Sequence, residues 1–120
     1  MLFRSLCGNG GLFLPEEMER GADGAMTGFA YPEMMIDVCR LCAAREFERA
    51  RDIFDAYLPL VRYEQQPGIG LAVRKHVLAK RGAIANAAQR QPGSALSPVA
   101  LAEVERLLAR QVLRLEALAR

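Results

Sequence analysis

Three cysteines, one histidine and no tryptophan stand among the 120 residues, and these scarcities narrow what the chain can do. Thiols at Cys7, Cys39 and Cys42 are too few and too irregular for the disulfide framework of a small secreted domain. Cys39-x-x-Cys42 has the spacing of a zinc or redox pair, but it falls inside a helical pattern and has no second ligand pair. Zinc needs four converging ligands, and the lone His76 is distant in sequence. Two buried helical thiols are expected instead, with no metal and no cofactor.

Long apolar runs are also lacking. None reaches the roughly 18–20 residues that span a bilayer, and the opening Met1-Leu2-Phe3-Arg4-Ser5-Leu6-Cys7 has no signal-peptide h-region. A cytoplasmic protein without a membrane partner is expected. Neither charge dominates: sixteen basic against fourteen acidic residues leave +2. Nucleic-acid binders concentrate basic charge on one face, so no nucleic acid is expected. The clusters Arg74-Lys75-His76 and Lys80-Arg81 are read as the solvated side and last turn of a helix, where cations are favoured.

A hydrophobic content of 52% can support a core. After a short apolar stub comes Gly8-Asn9-Gly10-Gly11, then a short helix over 12–20 with Pro15 in its first turn and Gly21 behind it. Ala22-Asp23-Gly24 is a tight turn. Ala25-Met26-Thr27, uncharged and bounded by glycines, fits a buried parallel strand. Everything from Pro32 onward is helical. Met35, Val38, Leu41 and Cys42 repeat at three-four spacing, and Phe47, Ala50, Ile53, Phe54, Tyr57, Leu58 and Val61 repeat it in a longer helix. Pro59 should kink or tighten the end of that helix. Glu64-Gln65-Gln66-Pro67-Gly68-Ile69-Gly70 reads as a polar loop leading into a helix that stops at Gly82. The stretch 89–97 is the clearest linker. A last helix then starts with Ser97 as cap and Pro98, its stripe being Leu101, Val104, Leu108, Leu115 and Leu118.

A strand–helix–strand unit of this length is a right-handed crossover between parallel strands. Two parallel strands make no stable sheet by themselves, so further strands are expected upstream. Leu2-Phe3-Arg4-Ser5 is also what a common sequencing-adapter end would encode in frame, which points to a reading frame that continues upstream.

Three stretches carry a resemblance. They are Gly8-Asn9-Gly10-Gly11, the run Gly21-Ala22-Asp23-Gly24-Ala25-Met26-Thr27-Gly28, and the run from Arg62 to Lys75 through Tyr63-Glu64-Gln65-Gln66-Pro67-Gly68-Ile69-Gly70. With the helix order, the chain from about Gly8 to its end resembles the last part of the dihydrodipicolinate synthase/N-acetylneuraminate lyase family. The resemblance implies an α/β fold, the last two strands and helices of a TIM (β/α)8 barrel over residues 1–45. A C-terminal three-helix appendage follows over 46–120. A whole barrel takes about 250 residues, so most of one would lie outside this chain.

Members of that family form a lysine Schiff base with pyruvate or another 2-oxo acid, and the iminium acts as an electron sink for making or breaking a carbon–carbon bond. The resemblance places that lysine, a proton-transferring tyrosine and a carboxylate-gripping threonine pair on earlier strands. Lys75 and Lys80 lie on a charged helix without the desolvation such a lysine needs. No catalytic residue is therefore expected here, and the complete protein is expected to be a tetramer.

What remains is a substrate-binding rim at the C-terminal strand ends. Met26 would border the bound 2-oxo acid, or serve as barrel filler. Gly8 would allow close backbone approach to the ligand, or simply turn the chain. Asn9 would bond a substrate hydroxyl, or act as a turn former; Thr27 lies on the same rim. Asp23 is read as a turn and cap residue at the opposite face, and Tyr31 as packing. A self-standing helical interaction module is the alternative function. A phosphate-binding Gly8–Gly11 loop is a weaker one, because no P-loop lysine follows it.

Overall fold

The computed structural model describes residues 4–91 and 93–120. Met1, Leu2, Phe3 and Pro92 lie outside them, and with them part of the adapter-like start and of the linker. The chain is mostly helical around one small parallel sheet. Strand β1 (Leu6–Cys7) leads through a tight turn at Asn9–Gly11 into helix α1 (Leu14–Glu19), and strand β2 (Gly24–Ala25) returns beside β1. Leu6 pairs with Gly24 and Cys7 with Ala25, in parallel. Helices α2 (Pro32–Ala43), α3 (Phe47–Glu64), α4 (Gly70–Lys80) and α5 (Pro98–Leu118) follow.

The strand–helix–strand order is the one expected, but β2 is the half-buried pair Gly24–Ala25 and not a buried run over Ala25–Thr27. The sheet is two residues wide on each strand, and Met26 and Thr27 continue past its end. Helix α1 begins at Leu14 with proline at its start, and Gly21 follows at φ +103°, a backbone conformation that L residues rarely adopt. Asp23 sits where the sequence suggests. Its amide donates to the Ser5 carbonyl at 2.7 Å and its carboxylate accepts from the Ser5 amide at 2.8 Å, pinning the entry of the strand pair.

The core lies between α2 and α3. Met34, Met35, Val38, Leu41 and Cys42 on α2 meet Ala50, Phe54, Tyr57, Leu60 and Val61 on α3, the predicted faces with few additions. Each fully buried side chain of Leu or Met size in such a seam is worth roughly 1.5–3 kcal/mol. Arg45 makes the corner between the two helices at φ +61°, a position that usually takes glycine, and its guanidinium lies 5.4 Å above the Phe47 ring. Pro59 does not end α3; the helix runs five residues further to Glu64. Helix α5 packs Val104 and Leu108 onto this core, and the Ser97 hydroxyl caps it by accepting from the Ala100 amide at 3.1 Å. The predicted stripe holds at Val104, Leu108 and Leu115, the last half-buried against the core. Gln111 is buried among them, and Leu118 is exposed. Of the three thiols, Cys7 and Cys42 are buried and Cys39 is half-buried, all free.

Candidate functional site

The two parallel strands end at the same level, so the segments that leave them meet. Asn9, Gly10 and Gly11 all take positive φ, +50°, +65° and +79°, which curls the exit of β1 into a left-handed turn. That curl aims the Gly10 amide at Thr27 at the exit of β2, and it donates to the Thr27 hydroxyl at 2.7 Å. The Met26 amide donates to the Cys7 carbonyl at 3.0 Å, extending the ladder by one rung. Gly8, Asn9, Met26 and Thr27, the four residues read from sequence as substrate-binding, are thereby gathered on one rim.

Their exposure differs from expectation in one respect. Met26 is 75% exposed and fills no core in this structure, because β2 ends before it and, among the described residues, no further strand covers it. Gly8 and Asn9 are exposed. A Cβ on Gly8 would meet nothing within 4 Å, so no protein neighbour demands glycine there. Gly10 is the constrained one: a Cβ there would collide with the Gln65 side-chain amide. Beneath the rim, Cys7 is inert. Burial first, then a hydrogen bond to Glu17, pushes its thiol up to about 12.

Sequence reasoning missed the residues that support this rim. Glu64, read as part of a polar loop, is the last residue of α3 and only 2% exposed. Its carboxylate receives Nε of Arg74 at 2.6 Å on one oxygen and the Ala30 amide at 3.2 Å on the other. Burial raises the Glu64 pKa, while the Arg74 bond and the Ala30 amide oppose that rise. Arg74, read as a solvated charge, also donates through Nη2 to the Gly28 carbonyl at 3.0 Å, and a Cβ on Gly28 would run into its guanidinium. Arg81 donates to the Ala30 carbonyl at 2.6 Å, bonds Glu33 and lies 4.0 Å over the Tyr31 ring. Tyr31 packs in turn against Phe29 and Tyr57.

The signal that could have found Glu64 is its register. It stands four residues after Leu60, three after Val61 and seven after Tyr57, on the buried stripe of α3. An ionisable group on such a stripe needs a partner in the fold.

A shallow groove of about 410 Å³ lies beside the rim, lined by Gln65, Gln66, Gly70 and the Glu64–Arg74 pair. A larger groove, about 600 Å³ between α1 and α3, is bordered by Phe13, Phe54 and Leu58, and the lining of neither groove includes Gly8, Asn9, Met26 or Thr27. Among the described residues no three metal-ligating side chains converge, and no helix is long and apolar enough to cross a membrane. Lys75 donates to the Ala88 carbonyl at 2.8 Å and Lys80 pairs with Glu105, both at the surface of α4. Neither has the dry pocket that activates an amine as a nucleophile.

No protein-family model matches the chain, and neither does any curated protein. A solved structure does. The crystal structure of dihydrodipicolinate synthase from Rhodopseudomonas palustris is 56% identical over 90% of this chain and superposes with a TM-score of 0.87. The chain spans 36% of the length of that enzyme. At that identity and superposition the likeness extends to sequence and fold together: over the stretch it spans, the chain belongs to the dihydrodipicolinate synthase family.

Proposed function

We propose that the chain is the C-terminal part of an aldolase or lyase that binds pyruvate or another 2-oxo acid as a lysine Schiff base. In this reading β1 and β2 are the last two strands of a (β/α)8 barrel, and α1 and α2 cover them within residues 1–45. Helices α3 to α5, within 46–120, form the C-terminal region. The Schiff-base lysine belongs to an earlier strand, so the chain by itself is inactive. Gly8, Asn9, Met26 and Thr27 border the substrate, and the complete protein is a cytoplasmic homotetramer.

The observation that carries this reading is the parallel pair whose two exits, Gly8–Gly11 and Met26–Gly28, are bonded to each other at one end. Active sites of such barrels sit at the C-terminal ends of the strands. Surface accounting points the same way. The chain exposes 7725 Å², where a self-contained protein of its mass exposes about 6,400 Å². Its radius of gyration is 15.2 Å against about 13.6 Å for a compact domain of this length. Leu6, Phe13 and Met26, around the strand pair, are among the exposed apolar side chains. A self-standing helical module would leave the parallel pair and its left-handed turn without a task.

The test is a chimera in which this chain replaces the matching segment of the Rhodopseudomonas palustris enzyme. Incubated with pyruvate and borohydride, it should trap a covalent adduct on a lysine outside the 120 residues and turn over at a rate comparable to the parent. The chain alone should trap nothing. An adduct on Lys75 or Lys80, or a folded chimera that binds no 2-oxo acid, would overturn the proposal.

A further inference from the structure

We infer that Glu64 and Arg74 are positioning residues for the strand-end rim, fixing through Gly28 and Ala30 the backbone that carries Met26 and Thr27. The starting point is a gap in backbone pairing. Beyond β2 the chain crosses from Met26 to the start of α2 at Pro32, and among the described residues no backbone group bonds Gly28, Phe29 or Ala30. Buried peptide groups do not stay unpaired, and Phe29 and Ala30 are buried. Side chains supply the bonds on either side of Phe29: Arg74 takes the Gly28 carbonyl, Glu64 the Ala30 amide and Arg81 the Ala30 carbonyl.

All three lie 34 to 51 residues further along the chain, at the end of α3 and on or just after α4. The placement of the rim backbone is therefore set by the C-terminal helices as well as by the sheet. Glu64 and Arg74 act as one unit, because Arg74 Nε sits on Glu64 Oε1 while its Nη2 reaches Gly28. Charge-assisted bonds of this kind are short and directional, which suits them to holding one backbone geometry. Gly28 completes the arrangement, since a side chain there would displace the guanidinium. Arg81 divides its bonds between Ala30 and Glu33, so it ties the same segment to the first turn of α2.

The consequence for substrate rests on the proposed reading of the rim as the border of the 2-oxo acid site, and two measurements keep the questions apart. The first is amide exchange, followed by mass spectrometry, on the full 120-residue chain and its Glu64→Gln and Arg74→Lys variants. The peptide over 24–31 should exchange about tenfold faster in each variant while that over 47–61 stays within about twofold, the mark of local opening. Unchanged exchange at 24–31, or equal acceleration everywhere, would overturn the positioning role. Arg74→Lys keeps the charge and loses only the two-armed reach, so it covers the case in which Glu64→Gln fails to fold.

The second measurement places the same substitutions in the chimera. The KM for the 2-oxo acid should rise about tenfold with kcat within about twofold, as loss of ground-state positioning predicts. An unmoved KM beside an opened 24–31 peptide would refute the rim as substrate border while leaving the backbone clasp in place.

Discussion

Helix α4 carries two ionic contacts that differ in almost every physical respect. Facing the strand ends, Arg74 meets Glu64, whose side chain is wholly shut from water. Facing α5, His76 and Lys80 share Glu105, whose side chain is 43% exposed. Their proton affinities diverge accordingly. Burial lifts the pKa of Glu64, whereas hydrogen bonds from Lys80 and then His76 depress that of Glu105. Water explains the contrast: an exposed carboxylate gains from a nearby cation and loses little solvation, while a buried one loses solvation that its partner only partly replaces. The buried contact is therefore costly to break and weak evidence of net stability, which fits a positioning role. The exposed one fringes a seam held by apolar packing.

The largest effect should come from Arg74→Met. It strips the cation from a carboxylate with no access to water, and removing one partner of a buried pair costs about 3–5 kcal/mol. The sign of its pH dependence follows from the raised pKa. A carboxyl group whose folded pKa lies above its ordinary 4.5 binds more protons folded than unfolded, so its share of stability is greatest below 4.5 and falls as pH rises. The variant should gain stability relative to wild type on acidification toward that value, in denaturant melts run across pH. A deficit that stays constant or grows with acid would show that Glu64 is hydrated, and the comparison with Glu105 would lose its basis.

Leu108→Ala should come next. Leu108 is buried on α5 against the core, and truncating such a side chain costs about 2–5 kcal/mol. The lower part of that range is expected, because a groove beside Tyr31, Val77 and Leu108 already opens to solvent and lets the site relax. Equilibrium urea unfolding checks this. If Leu108→Ala were near neutral while loss of Glu105 was not, α5 would be held by its ions after all.

The apolar seam was legible in the sequence and the buried ion pair was not, for one physical reason. Periodicity reports which face of a helix avoids water, and Val38, Leu41, Phe54 and Val61 announce theirs through residue type alone. The parallel strand pair followed from crossover length, and the Ser97–Pro98 helix start from capping chemistry. Glu64 and Arg74 carry the residue types of a surface, and their burial depends on each other across ten residues and on a backbone gap at 28–30. No local pattern encodes that gap. Met26 shows the converse limit: its type suits a core, yet it stands exposed past the end of β2. Gly8, Asn9, Met26 and Thr27 stand together because strand ends in a parallel pair coincide, whereas the side chains that bond the following backbone come from a different part of the chain.

The smallest effect, and the one that sharpens the contrast most, belongs to Glu105→Gln. Surface pairs of this kind are worth about 0.2–1 kcal/mol and are screened by salt. The depressed pKa sets the sign: stability from Glu105 is present above its ordinary 4.5 and is lost as pH falls through its lower folded value, opposite to Glu64. Wild type and variant should therefore converge in acid and also in about 1 M salt, where the Debye length is only about 3 Å. Arg74→Met should ignore the salt, since its carboxylate has no ions beside it. Measuring both variants along both axes separates the two contacts without any structure. If salt relieved the two deficits equally, α4 would have one kind of ionic contact, and the clasp on the strand ends would be no more than surface charge.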